Sequence, residues 1–120
     1  MRVFPYREVV RALIWMVTTT RLDIAHAVST TVKFCENPGV AHKRAVVKIL
    51  QYVLRAMNLR ITYSGQDFGI EMSAYADSDY ATCLDSRRSV SDGAVLLGGG
   101  AISWHARTQE VTAVGTTEAE

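Results

Sequence analysis

The chain has 120 residues, 48% of them apolar, and its thirteen basic and twelve acidic side chains leave a net charge of +1. That length allows one domain or two small subdomains with a real core, and the apolar content excludes a disordered chain. Near-neutral charge removes bulk attraction as a basis for nucleic-acid binding, so any such footprint is local, and no apolar run reaches the roughly 18–20 residues of a membrane span.

Pro5 suits a first helical turn, and Tyr6, Val9, Val10, Leu13, Ile14 and Val17 then form one stripe at helical spacing, closing at Thr18-Thr19-Thr20. Asp23 is the predicted N-cap of a second helix, whose buried face is Ile24, Ala27, Val28, Thr31, Val32 and Cys35. Asn37-Pro38-Gly39 stops it. A third helix carries Val46, Ile49, Leu50, Val53 and Met57 on one face and Arg44, Lys48, Gln51 and Arg55 on another.

Near Asn58 the apolar period drops towards two. Ile61 and Tyr63 read as a strand, followed by a turn at Gly65-Gln66-Asp67. Met72, Ala74 and Ala76 alternate with Ser73, Tyr75 and Asp77. Ala94 to Leu97 and Ala101 to Trp104 flank Gly98-Gly99-Gly100, a hairpin signal, and Gln109 to Val114 reads as a further short strand. Three helices followed by a small antiparallel sheet make an α+β chain, with a helical part over 1–59 and a sheet part over 60–120. Cys35 and Cys83 lack metal or redox spacing and fit reduced thiols of an intracellular protein, and Met1-Arg2 opens no signal peptide.

Four features carry candidate chemistry. Asp77, Asp79 and Asp85 concentrate negative charge around the end of a strand; Asp77 either ligates a divalent cation or bonds its own turn backbone. Asp77-Ser78-Asp79 begins a calcium-loop pattern, but Ala81 and Thr82 stand where the third ligand and the glycine belong, which argues against one. One of Arg87 and Arg88 suits phosphate, since a guanidinium donates two parallel hydrogen bonds, while the other pairs with Asp85; the alternative is a solvated loop pair. Arg44, Lys48 and Arg55 can follow a nucleic-acid backbone, or can simply be a solvated helix face. Thr117-Glu118-Ala119-Glu120 fits a capping box, with Glu120 also a possible metal ligand. His26 and His105 stand alone, His42 and Lys43 add charge at a helix start, and Trp15 and Trp104 read as core.

Taken together these segments resemble the Pol polyprotein of copia-type long-terminal-repeat retrotransposons. Pro5-Tyr6-Arg7-Glu8, the run from Thr19 to Ala25, Asn37-Pro38-Gly39 and Thr62-Tyr63-Ser64-Gly65 are similar to the region after the reverse-transcriptase palm, its thumb and connection. Tyr75-Ala76-Asp77-Ser78-Asp79-Tyr80-Ala81, Asp85-Ser86-Arg87-Arg88-Ser89, Ile102-Ser103-Trp104 and Thr117-Glu118-Ala119-Glu120 resemble the N-terminal half of the family's ribonuclease H. The resemblance implies cleavage of the RNA strand of RNA–DNA hybrids by carboxylates that hold two magnesium ions about 3.5–4 Å apart. On that basis Asp77 is the first carboxylate and Glu120 the second, with Glu118 the alternative. The chain departs from the family at Leu22, Tyr80, Thr82, Glu110 and Asp92-Gly93, the last replacing a glycine–aromatic pair.

The expectation is a polyprotein segment that lacks half the nuclease site and is inactive alone, with a nucleic-acid hybrid and the rest of Pol as partners. The resemblance places it in the cytoplasm or a virus-like particle, then the nucleus. A non-catalytic nucleic-acid-binding module and an inert relic of a degenerate element are the alternatives.

Overall fold

The structure, a computed structural model, describes residues 4–64, 71–79 and 87–110. The chain divides into two compact units, Met1–Arg60 and Ile61–Glu120. The architecture is the expected α+β: three helices, then a three-stranded antiparallel sheet.

The first unit contains α1 (Tyr6–Thr19), a 3-10 turn (Leu22–Ile24), α2 (Ala25–Val32) and α3 (Val40–Arg55). Its core joins Tyr6, Val10 and Leu13 of α1, Ile24, Val28 of α2, and Val46 and Ile49 of α3. Each such burial contributes about 1.5–3 kcal/mol. Tyr6 reaches the core with a polar end, which donates to the Thr31 carbonyl at 2.8 Å. Burial is the main reason its phenol titrates above the ordinary value.

Three expectations in this unit are corrected. Asp23 caps nothing: it lies in the 3-10 turn, and Ile24 precedes α2 without a side-chain cap. The second helix ends at Val32 rather than Cys35. Ser29, Thr30 and Thr31 each donate a hydroxyl hydrogen to the carbonyl three residues back, at 2.7–2.8 Å, competing with the helical ladder there. Met57 lies beyond α3 and is 70% exposed, whereas Leu50 and Val53 pack against the core.

The start of α3 shows a role that His42 does not advertise. Gly39 is extended at the N-cap, and its N–H donates to His42 Nδ1 at 2.9 Å. The imidazole also stacks on Phe34, with ring centroids 3.9 Å apart and an 8° tilt. One side chain thus satisfies a helix-start donor and ties α3 to the preceding turn.

The second unit is built from β1 (Met72–Asp79), β2 (Val90–Leu97) and β3 (Gly100–Thr108), in spatial order 1-2-3. Cross-strand partners include Ala74↔Val95, Asp77↔Asp92 and Gly93↔His105. Side chains alternate between faces, so Tyr75 and Asp77 share one face with Asp92, Ala94, Trp104 and Ala106. A bulge after Ala101 inserts Ile102 into β3. Gly98 and Gly99 have φ of 58° and 80°, the pair of positive values that a two-residue primed hairpin turn requires.

Ile61–Tyr63 is no strand. The segment clasps the hairpin instead: Ser64 N–H donates to the Gly98 carbonyl at 3.0 Å and Tyr63 O–H to the Ala101 carbonyl at 2.7 Å. Gln109 is not strand either, its N–H bonding the Ser89 carbonyl at 2.8 Å; residues 111–114 lie outside the described ones.

Candidate functional site

The amphipathic pattern of α3 turns Val46 and Ile49 inward, so the opposite side of the helix faces solvent. Arg44, Lys48, Gln51 and Arg55 all lie there and are all exposed. From Arg44 to Arg55 the stripe extends about 16 Å along the axis at about 1.5 Å per residue. From Asn37 to Gln66 the sequence contains no aspartate or glutamate. No carboxylate within the helix therefore offsets its cations.

Beside the stripe lies a cluster that sequence reasoning missed. Arg21 is 6% exposed and makes a two-pronged ion pair with Asp23, Nε to Oδ1 at 2.9 Å and Nη2 to Oδ2 at 2.8 Å. Its guanidinium carbon sits 5.9 Å from the centroid of the Tyr52 ring on α3. The bond from Arg21 is the leading reason the Asp23 carboxyl titrates below the ordinary aspartate range, and the same bond raises Arg21. The attraction of Asp23 for the Tyr52 hydroxyl hydrogen is the leading reason that phenol is raised. An arginine two positions before an aspartate was the available signal.

Asp77 sits two residues before the end of β1 with its side chain exposed. Its Oδ1 accepts the Ser78 N–H at 2.8 Å, the local bond that the turn reading anticipated. The ladder sets half-buried Asp92 directly across from it. Facing like charges at such positions are destabilising. Among the described residues no three histidine, cysteine, aspartate or glutamate side chains gather as a metal would require. The described residues therefore do not by themselves fit a magnesium pair, and Asp77 offers one carboxylate only.

A cleft of about 190 Å³ is lined by Ala76, Asp77, Ser78, Ser91, Asp92 and His105. Gly93 is the cross-strand partner of His105. A Cβ on that glycine would run into His105 Cε1, so the imidazole occupies the space of the missing side chain.

Arg87 and Arg88 are exposed just before β2, and Arg87 holds a left-handed φ of 54°. That conformation costs roughly 1–2 kcal/mol in a residue bearing a Cβ. Trp104 is half-buried, but Trp15 is 67% exposed, which corrects its assignment to the core. It lies off the apolar stripe of α1. Glu120, Glu118, Thr117, Asp85, Cys83, Tyr80 and the Gly65–Asp67 turn lie outside the described residues. Among those described, no helix is long and apolar enough to cross a membrane.

No protein-family model and no solved structure matches the chain. Among curated proteins, it is 39% identical over 116 residues to the retrovirus-related Pol polyprotein from transposon TNT 1-94 of Nicotiana tabacum. That match takes in 97% of the chain and 9% of the polyprotein's length. It is 32% identical over 122 residues to secreted RxLR effector protein 161 of Plasmopara viticola, covering all of the chain and 84% of that protein. An uncharacterized mitochondrial protein of Arabidopsis thaliana is 31% identical over 115 residues, 96% of the chain and 47% of that protein. The N-terminal motifs and the aspartate strand fall together inside matches that take in nearly all of this chain, and the chain belongs to this family of retrotransposon Pol-related proteins.

Proposed function

We propose that the chain is a nucleic-acid-handling segment of a copia-type Pol polyprotein. Its helical unit corresponds to the reverse-transcriptase thumb and connection. Its sheet corresponds to the first strands of the ribonuclease H that removes RNA from RNA–DNA hybrids. The observation that carries this reading is the face of α3: Arg44, Lys48 and Arg55 are exposed together, opposite the core, on a helix free of acidic residues. Such a face attracts a phosphate backbone and positions it without reading sequence. Arg87 and Arg88 are proposed as further phosphate contacts.

Asp77 is proposed as a metal-binding carboxylate of the parent nuclease, and Glu120 as its partner. The exposed strand-end position of Asp77 supports that role. A divalent cation held by these carboxylates would supply charge stabilisation to a scissile phosphate.

Amide NMR of the labelled chain tests both parts. Titration with an RNA–DNA hybrid is expected to shift the amides around Arg44, Lys48 and Arg55. Substoichiometric manganese is expected to broaden signals around Asp77, and the Asp77→Asn chain is expected to lose that broadening. Hybrid-induced shifts that avoid α3, or manganese broadening unaffected by Asp77→Asn, would contradict the corresponding part.

A further inference from the structure

Next to the basic stripe, α3, the 3-10 turn and Ala27 of α2 line an open pocket of about 300 Å³. Its floor is apolar, made by Ile24, Ala27 and Ile49, and its rim carries Asp23, Lys48 and Tyr52. The volume is at the small end of the range for ligand sites, suited to a single ring system rather than a base pair. Tyr52 is 43% exposed, an aromatic ring presented to solvent beside buried aliphatic groups. It is also held in place. The Arg21 guanidinium lies over the ring, and Arg21 is itself locked by two hydrogen bonds to Asp23. A ring fixed in advance loses little freedom when another ring stacks on it.

Two polar groups at the rim, the Lys48 ammonium and the Arg21-paired Asp23 carboxylate, orient whatever enters. Lys48 belongs both to the stripe and to the rim, so the path of a phosphate backbone along α3 passes the mouth of the pocket. The Asp23 carboxylate, its charge balanced by Arg21, keeps lone pairs that can accept a base N–H. An apolar floor, a stacking wall and an acceptor at the edge suit an uncharged planar heterocycle, and Lys48 at the rim keeps the attached phosphate outside.

We propose that this pocket takes one unpaired nucleobase, stacked on Tyr52, from a strand whose phosphates follow Arg44, Lys48 and Arg55. The proposal rests on the nucleic-acid reading of α3 and adds a preference for single-stranded substrate, because a base within a duplex is already stacked and cannot enter. Base–aromatic stacking tolerates any sequence, so the preference is for strandedness rather than base identity.

Fluorescence anisotropy with a labelled oligothymidylate and a fully paired duplex of equal length provides the test. The expected result is a preference for the single strand of about tenfold, the size of one stacked base. Tyr52→Ala is expected to abolish the preference while changing duplex affinity less than twofold, and Tyr52→Phe to retain it. Ala27→Leu, which fills the pocket floor and leaves ring and cations in place, is expected to abolish it as well, independently of any effect of Tyr52→Ala on folding. Equal affinity for the two probes, with both lost on replacing Arg44, Lys48 and Arg55 by alanine, would overturn the base pocket and leave the stripe standing. A preference that survives both Tyr52→Ala and Ala27→Leu would also overturn it. Binding to neither probe would overturn the stripe and the pocket together.

Discussion

Tyr63 and Gly100 are fitted to each other: the tyrosine ring lies where a Cβ on the glycine would stand, with Cδ1 only 2.5 Å from that position. The phenol then donates to the next carbonyl, that of Ala101, at 2.7 Å. Gly98 and Gly99 are needed for the turn, but Gly100 is needed for Tyr63. Gly100→Ala is expected to destabilise the sheet unit by about 1–3 kcal/mol through overpacking. Tyr63→Phe, which keeps the ring and loses the bond, is expected to cost about 1 kcal/mol. Urea denaturation followed by tyrosine and tryptophan fluorescence measures both, and a neutral Gly100→Ala would contradict the clasp.

Gly93 and His105 make a second fitted pair. A glycine inside a strand is ordinarily improved by alanine, by roughly 0.5–1 kcal/mol. Here the added methyl meets the His105 imidazole, so Gly93→Ala is expected to destabilise instead. In a His105→Ala background the same change is expected to become neutral or stabilising. A double-mutant cycle reads the coupling, and additive effects would show that the two residues do not compete for space.

The Arg21–Asp23 ion pair predicts an acid limb in the stability of the helical unit. The ordinary value for Asp23 is 3.8, and its folded value lies below that because Arg21 holds the charged form. A lowered carboxyl contributes stability that is fully present above 3.8 and is lost as pH falls through the folded value. Asp23→Ala leaves the buried Arg21 guanidinium without its carboxylate partner and is expected to cost about 2–3 kcal/mol at neutral pH. The difference from the parent is expected to shrink below pH 3.8, and melting curves across acid pH check this. A difference that stays constant down to the lowest pH would rule out the linkage.

Asp77 and Asp92 face each other on adjacent strands, an arrangement that works against folding. Asp77→Asn is accordingly expected to stabilise the sheet unit by about 0.2–1 kcal/mol, with the gain falling as salt screens the charges. Denaturant midpoints at low and high salt provide the measurement. Destabilisation by Asp77→Asn would mean that the carboxylate serves the sheet rather than standing ready for a cation.

Much of this was legible because it is periodic. The stripes of α1 and α3 run for several turns, and the glycine triplet between alternating segments can form little but a hairpin. What failed was short or long-range. Three alternating residues at Ile61–Tyr63 resemble a strand only until Gly98 and Ala101, more than thirty residues on, claim their hydrogen bonds. Asp23 reads as a cap because caps and ion pairs use the same carboxylate, and Arg21 decides between them. Trp15 was placed inside on residue type although it falls off its own helix's stripe. Of the candidate site, the basic stripe was visible in the spacing of Arg44, Lys48 and Arg55. The pocket beside it was not, because Ile24, Ala27 and Tyr52 belong to different elements and meet only on folding.

The central claim is that α3 binds nucleic-acid phosphates, and the salt dependence of hybrid binding tests it most directly. With three phosphate contacts, the logarithm of the association constant for an RNA–DNA hybrid is expected to fall with the logarithm of salt at a slope of about −2 to −3. Replacing Arg44, Lys48 and Arg55 by alanine is expected to flatten that slope by nearly its full amount. A slope unchanged in the triple variant, or an affinity indifferent to salt, would contradict the account.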